Sequence, residues 1–506
     1  MKIHFEQHEQ LGIKGLWGQQ QNTISAVLYD SRKAIQNSAF VCISGENHDG
    51  HSFLEDAIKK GATVLAGENK AILKPLSTKY PDRTFLLIED ARVFLAHLSI
   101  LFYTNVHRKL LTVGITGTNG KTTVAAYVTS LLNLLGSPAG LIGTTGIWSS
   151  KGNIDFEKTT PTTPEAPELH EIFNNFHQCG DKVAAMEVSS IAIEQKRVEG
   201  IDFDIAIHTN LSPEHLEFHH TFENYKKAKL KLFDQAKKAV VNYDDQGMAT
   251  EIIESFQGPL LTYSLDKDSS ADVIGTNIKV SNDGTSFELR VKGELFIVHT
   301  PVFGNYNVAN LLASICTGLH LGFSIQNILL VLPQIEGPEG RFEILKDYGN
   351  RKIILDYAHT PVALKSLVTE AKKLTYNRLI VLITGIGIRD KEKMPKMAET
   401  VEGEVDEIIV AVDHPGFHDP KEIIGHVLDG FSNRYASNIH TGQTRHEGVL
   451  TALSLSEEND LILLTSGCIN GAQLVKGEKI PHSDKDIIKS YFETDHSVYD
   501  WNYAEA

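Results

Sequence analysis

Short apolar runs separated by stretches of helical spacing recur from end to end of the chain. In the first part they read ISAVLYD (24–30), SAFVCIS (38–44), ATVLAGE (62–68) and TFLLIED (84–90), with the helical pattern SFLEDAIKKG (52–61) among them. Apolar runs bounded by polar turns predict strands buried in a sheet core. A second series begins with LLTVGITG (110–117) and a helix over 121–135. It continues with a helix over 164–178, strands at 182–189 and 203–211, a helix over 221–233 and the strand AVVN (239–242). Between 272 and 300 the pattern switches to two-residue alternation around Asn282-Asp283-Gly284, which predicts an antiparallel insertion. A third series, KIILDYA (352–358), LIVLITG (379–385), EIIVAVD (407–413) and LILLTSG (461–467), again alternates with helices. Strands alternating with helices predict α/β layers with parallel sheets. The expected architecture has three domains: a small N-terminal α/β domain (1–107), a central domain with a mostly parallel sheet of the P-loop type (108–340), and a C-terminal doubly wound, Rossmann-like sheet (341–506). The glycines and prolines of EGPEGRFE (336–343) suit a hinge between the last two.

Composition narrows the function classes. The formal net charge of −16 argues against general nucleic-acid binding while leaving room for a local basic pocket. Cys42, Cys179, Cys316 and Cys468 lie far apart and form no C-x-x-C pair, so they read as buried apolar residues in a reducing cytoplasm. No apolar run reaches the length of about 18 residues that a membrane span needs, and the N-terminus lacks an apolar signal core. A cytoplasmic monomer acting on small molecules is expected.

The stretch VGITGTNGKTTV (113–124) carries the clearest chemistry. It lies between a predicted buried strand and a predicted helix, as a phosphate-binding loop does, but the glycine of G-x-x-x-x-G-K-[ST] is replaced by Ile115. Gly117 and Gly120 permit close approach of backbone N–H groups to phosphate, with Thr118 and Asn119 between them. The helix start adds a favourable dipole. Lys121 is expected on the β and γ phosphates, Thr122 on Mg2+, and Thr123 completes the ATP loop. Downstream, Glu187 ends a strand, His215 follows another, and Tyr225 and Lys229 share a helix face. Singly, each has a plain reading: a solvated strand-end acid, a turn histidine, and one lysine among Lys226, Lys227 and Lys231 on a solvated face.

In order, the blocks GITGTNGKTT, TTPEAPELH, MEVSS, RVEG, HLEFHHTFENY, GNYNVAN, EGRFE and LDYAHTP resemble the Mur ligases, in particular those that extend UDP-N-acetylmuramoyl-L-alanyl-D-glutamate. The likeness runs from Asp30 to about Asp484, and the loop spelled G-T-N-G-K-[ST] is that family's form. It implies an ATP-dependent ligase that phosphorylates the D-glutamyl side-chain carboxylate and couples the acyl phosphate to an amino acid. By the same resemblance, Ser31 in DSRK touches the uridine nucleotide, with Gly45 and residues 48–51. Thr162, Thr163, Ser189 and Arg197 touch the nucleotide-peptide. Glu187 and His215 bind Mg2+, Lys229 carries a CO2-derived carbamate, and Asn307, Arg341 and Asp356 surround ATP, with His359 nearby. Arg389 holds the carboxylate of the incoming amino acid.

The departures concentrate in the specificity pocket. Ile191 stands where the family usually has histidine, Glu214 replaces an aspartate, and Val362 replaces an acid. Diaminopimelate-adding members carry D-N-P-R, whereas this chain has Asp413-His414-Pro415-Gly416; Asn470 in SGCINGAQ is the nearest counterpart of a family glutamate. Leaving a buried distal carboxylate without its arginine costs about 2–5 kcal/mol. Diaminopimelate is thereby disfavoured, and lysine and other amino acids stay open. The competing readings are a paralogue acting on another carboxylate, which the N-terminal DSRK domain opposes for a folate-type substrate, and a non-catalytic regulator, which Lys121, Thr122, Glu187, His215 and Lys229 oppose. A mechanical or switch ATPase has no support in the remaining motifs.

Overall fold

The computed structural model describes residues 1–45, 48–214, 216–388, 391–466 and 471–493, apart from the side chains of Glu217, Lys346 and Asp347. The chain forms two compact units. The first comprises Met1–Gly275, Arg290–Glu294 and Ala309–Val331; the second comprises Thr276–Leu289, Leu295–Val308 and Leu332–Ala506.

The first unit holds a short antiparallel pair, Lys2–His4 with Gln21–Thr23, and two main sheets. In the N-terminal one the strand order is Ile13–Trp17, Thr84–Ile88, Val64–Gly67, Ser38–Val41, Ala26–Leu28. Only the Ile13–Trp17 edge runs antiparallel. Its two faces are filled by separate apolar clusters, one around Phe94 and Leu98 and one around Phe40 and Phe85. In the larger sheet the strand Leu111–Thr116 lies between Val183–Glu187 and Ile205–His208, all parallel. The chain passes from Leu111–Thr116 to Ala139–Gly143, returns to Val183–Glu187 between them, then crosses to Ile205–His208 on the other side. That reversal is a switch point, and ligands of open α/β sheets gather at the carboxyl ends of strands there. Val113 and Ile115 are fully buried, which explains the unbroken apolar run: helices cover both faces.

In the second unit the order is Glu343–Tyr348, Arg351–Asp356, Leu461–Thr465, Leu379–Ile386, Glu407–Asp413, Ile439–Thr441. All are parallel except the first, an antiparallel edge strand that the sequence pattern did not signal. The alternating segment after residue 272 forms three strands, Val273–Ser281, Gly284–Val291 and Glu294–Thr300. Lys292 and Gly293 both take positive φ (50° and 85°) at the second turn, as a tight hairpin turn demands. Among the described residues no helix is long and apolar enough to cross a membrane.

Candidate active site

The helix Lys121–Leu134 starts directly after the loop, with Gly120 as its cap at φ 87° and Gly117 at φ 151°. A Cβ on Gly117 would lie 1.9 Å from Thr209 Oγ1, and one on Gly120 2.6 Å from Asn310 Oδ1. Neither position admits a side chain without rearrangement. The segment after the neighbouring strand clamps the loop. Asn210 accepts from the Thr118 N–H through its carbonyl (2.8 Å) and from the Asn119 N–H through Oδ1 (2.9 Å). The Thr209 hydroxyl donates to the Asn119 carbonyl (2.6 Å). Thr118 donates to the Ser212 carbonyl at 3.0 Å. The Lys121 ammonium folds over the loop, donating to the carbonyls of Gly117 and Thr118 at 2.8 Å each. Thr122 and Thr123 are buried at the helix start.

Lys229 lies on the helix Phe222–Asp234, only 1% exposed. Its Nζ donates to the Gly117 carbonyl at 2.8 Å and sits 4.6 Å from the centroid of the Tyr225 ring. Burial, then the charge of Lys121, pushes its ammonium well below the usual lysine value, with Glu214 opposing. The solvated-face reading of this lysine is overturned by that burial. Tyr225 in turn shares a hydrogen bond with the Thr118 hydroxyl, 3.2 Å apart.

Glu187 ends its strand one strand away from the loop and is 1% exposed. Its Oε1 accepts from the Thr144 N–H at 2.7 Å and its Oε2 from the Thr144 hydroxyl at 3.3 Å. Thr162 meets the same hydroxyl at 3.2 Å. The Thr163 hydroxyl donates to the Glu187 carbonyl (3.0 Å) and accepts from the Ser189 N–H (3.1 Å), while Ser189 caps the helix Ser190–Glu194. Arg197 donates to the Thr163 carbonyl at 3.0 Å and pairs with Glu165 at 2.9 Å. Burial raises the Glu165 carboxyl, with Arg197 and Arg92 opposing. Thr162, Thr163, Glu187, Ser189 and Arg197 are thus one connected set.

Ser31 opens a short 3-10 turn that Asp30 caps, and its carbonyl accepts from Lys60 at 3.2 Å. The preceding residue, Tyr29, reaches Thr159 (2.7 Å) and Glu168 (3.1 Å). Thr144 carried no signal in the sequence; Glu165 and Asn310 sat inside the blocks TTPEAPELH and GNYNVAN, and Thr209 and Asn210 in the strand expected over 203–211, all without a role. Lys158, half-buried, donates to the carbonyls of Gly143 and Pro161 beside Glu187. Burial lowers its ammonium from the usual value, Glu187 opposing. His215 lies outside the described residues.

In the second unit, Asp356 ends its strand and accepts from the N–H groups of Phe342 (2.7 Å) and Ala358 (2.8 Å). Burial raises its carboxyl, opposed by the neighbouring Arg341 charge and those two N–H groups. The Arg341 guanidinium stacks over the Tyr357 ring at 4.8 Å. His359 packs on the same ring with its centroid 4.7 Å away. Asn307 is buried and donates to the Phe303 carbonyl at 2.9 Å. Asp413 is fully buried and accepts from Gln473 at 2.8 Å. His414 accepts from the Leu474 N–H at 3.0 Å through Nδ1. Gly416, at φ 61°, donates to the Leu474 carbonyl (3.0 Å) and accepts from the Lys476 N–H (2.7 Å). Arg389 and Asn470 lie outside the described residues.

Three family profiles match along the chain: the Mur ligase family catalytic domain over residues 23–103, the Mur ligase middle domain over 115–318, and the Mur ligase glutamate ligase domain over 340–468. A UDP-N-acetylmuramoyl-L-alanyl-D-glutamate–2,6-diaminopimelate ligase of Clostridium perfringens (strain 13 / Type A) is 34% identical over 484 residues, covering 94% of this chain and 96% of that protein. UDP-N-acetylmuramyl-tripeptide synthetase 2 of Oceanobacillus iheyensis is 35% identical over 495 residues, covering 96% and 97%. Among solved structures, a UDP-N-acetylmuramoyl-L-alanyl-D-glutamate–2,6-diaminopimelate ligase superposes with a TM-score of 0.69 at 26% identity over 97% of this chain and 99% of that one. These likenesses cover nearly the whole chain, and the chain belongs to the Mur ligase family.

Proposed function

We propose that this chain is an ATP-dependent amide ligase of peptidoglycan precursor synthesis, which joins an amino acid to the D-glutamyl side-chain carboxylate of UDP-N-acetylmuramoyl-L-alanyl-D-glutamate. The observation that carries the reading is the buried Lys229 amine on the Gly117 carbonyl of a G-T-N-G-K-T loop, in the same unit as the buried strand-end carboxylate of Glu187. A carboxylate is a poor acyl donor at neutral pH. Its oxygen attacks the γ-phosphorus of ATP, ADP leaves, and the amine of the incoming amino acid attacks the acyl carbon, expelling phosphate and losing a proton. Lys121 and the loop N–H groups hold the triphosphate in this scheme; Thr162, Thr163, Ser189 and Arg197 hold the nucleotide-peptide. Residues 1–107 with Ser31 take the uridine end, 108–340 the ATP, and 341–506 the amino acid. Asn307, Arg341 and Asp356 border the nucleotide, and Arg389 takes the amino-acid carboxylate.

The donor set suits Mg2+. The Thr122 hydroxyl and Glu187 carboxylate offer hard oxygen atoms, and no cluster of three His, Cys, Asp or Glu among the described residues builds an all-protein cage. Thr122 and Glu187, with His215 as a further ligand in this reading, would hold such a cation, which would supply charge neutralisation for the phosphates. The depressed Lys229 value supports carbamylation, because the neutral amine is the form that adds CO2 and a carbamate offers oxygens.

The amino acid is read from Gly416. Glycine brings no side chain here to pair a distal carboxylate, and the loop backbone at this position is tied to Leu474 and Lys476. An ATP-consumption screen with UDP-N-acetylmuramoyl-L-alanyl-D-glutamate against an amino-acid panel tests both levels. Turnover selective for an amino acid without a second carboxylate is expected. Strong selectivity for diaminopimelate overturns the pocket argument, and no turnover with any amino acid overturns the ligase reading.

A further inference from the structure

Arg445 is the bulkiest wholly buried side chain among the described residues, and no step of the ligase chemistry uses it. It occupies the first position of the helix Arg445–Leu455, where a cation opposes the helix dipole. Its placement therefore answers to something other than the helix. Nε donates to both carboxylate oxygens of Asp484 (2.9 and 3.1 Å) and Nη2 to Oδ2 (2.6 Å). Nη1 donates to the Thr465 carbonyl at 2.8 Å and lies 3.8 Å from Asp413 Oδ2. Burial would raise the Asp484 carboxyl, but Arg445 and His482 outweigh it and hold it far below the usual carboxylate range. Thr465 and Asp413 are the last residues of two strands of the parallel sheet, separated by the strand Leu379–Ile386. One guanidinium thus bridges two carboxyl-end strand termini, the edge where ligands of such sheets bind.

Asp413 is held at its other oxygen by a shorter contact, a hydrogen bond rather than the 3.8 Å ion pair. Its Oδ1 accepts from Gln473, on the strand Ala472–Val475. That strand pairs with Glu478–Pro481, and the next residue, His482, closes the circuit on Asp484 at 2.8 Å. The loop Asp413–Gly416 is held against the same strand through His414 and Gly416.

We propose that Arg445, clamped by Asp484, is a positioning residue that sets Asp413 and through it the Asp413–Gly416 loop and the Ala472–Pro481 hairpin as the amino-acid subsite. The proposal rests on the reading of this loop as that subsite. A bidentate buried pair fixes direction as well as charge, which a lysine on the same stem does not reproduce.

The test is steady-state kinetics of the full chain with ATP, the UDP-dipeptide and the amino acid selected by the panel. Arg445→Lys is expected to raise KM for the amino acid roughly tenfold or more while KM for ATP stays within about twofold. Gln473→Leu, which removes only the second tether of Asp413, is expected to raise the same KM by about three- to tenfold with an unchanged melting temperature. The Gln473 variant keeps the question answerable if Arg445→Lys unfolds. An equal rise of all three KM values, or a fall in kcat alone, overturns the proposal. If both variants leave the amino-acid KM untouched while His414→Ala raises it, the positioning role is wrong and the subsite reading stands. If His414→Ala and both variants move only the KM of ATP, the subsite reading fails, and the proposal with it.

Discussion

Two lysine or arginine side chains among the described residues are buried almost completely, and they are treated in opposite ways. Lys229, in the first unit, faces a carbonyl and an aromatic ring. Arg445, in the second, has a carboxylate across its fork and a strand-end carbonyl on its remaining nitrogen. A buried charge without a counter-ion shifts toward its neutral form, whereas a paired one is locked as an ion. The first arrangement holds an amine against the Gly117 loop, and burial pushes its ammonium well below the usual lysine value. The second makes a bidentate bracket beside the loop proposed as the amino-acid subsite. In the proposed ligase, the part that would change chemical state has only the opposing Glu214 charge to offset its burial, whereas the part proposed to select the amino acid is bracketed by a bidentate carboxylate.

Removing the uncompensated group produces the largest effect. Lys229→Ala is expected to lower phosphate release by at least about a thousandfold, since it deletes a charge-positioning group at the reacting phosphoryl. Short carboxylic acids added to this variant are expected to restore part of the rate by occupying the space of the carbamate. Near-normal activity without them would end the carbamate assignment, and the comparison with it.

A smaller effect is expected on the compensated side. Gly416→Arg introduces the arginine that the family resemblance implies for diaminopimelate-adding members, but the position has φ 61°, and a Cβ there lies 2.8 Å from Ile388 Cγ2. The substitution should destabilise the chain by about 1–2 kcal/mol in denaturant titration. It should raise diaminopimelate turnover no more than about threefold, because the arginine arrives on a displaced loop. A larger gain would mean that the pocket is set by one side chain rather than by the bracket.

How much of each region could be read in advance follows the same division. The phosphate loop is local: a strand, two glycines, a lysine and a helix within residues 111–134 announce it, and the expected helix 121–135 ends within one residue of the observed Leu134. Glu187 and Lys229 needed the family resemblance, because a strand-end acid and a lysine among lysines carry no signal until burial is known. The bracket is nonlocal. Arg445 meets Asp484 across 39 residues and approaches Asp413 from another strand. The hairpin Ala472–Pro481 went unseen because its residues are half-buried or exposed and show no alternation. One clue was present: Thr444-Arg445-His446-Glu447 spells a capping box, and Thr444 does accept from the Glu447 N–H at 3.1 Å. An arginine directly inside that cap is misplaced for the helix dipole, and that misfit points to its long-range role.

The smallest expected effect concerns a third kind of buried basic group, neither reactive nor bracketed. His107 and His170 stack edge to face at 5.3 Å, and neither ring nitrogen of either residue finds a hydrogen-bond partner among the described residues. Burial, then the Arg108 charge, lowers His107 to about 4, with Asp202 opposing; burial, then His107 and His97, lowers His170 to about 3. The unfolded chain takes up these protons near pH 6.5 and the folded chain only near pH 4 and 3. The associated stability is therefore complete above pH 6.5 and is lost as pH falls through that window. His170→Phe keeps the ring beside Phe173, whose centroid is 5.7 Å away, and removes one titration. At pH 7 its melting temperature should match the parent, and at pH 5 it should be more stable by about 2 kcal/mol. A parallel fall of both proteins across that window would show that the acid sensitivity lies elsewhere, and that uncompensated burial in the first unit matters only at Lys229.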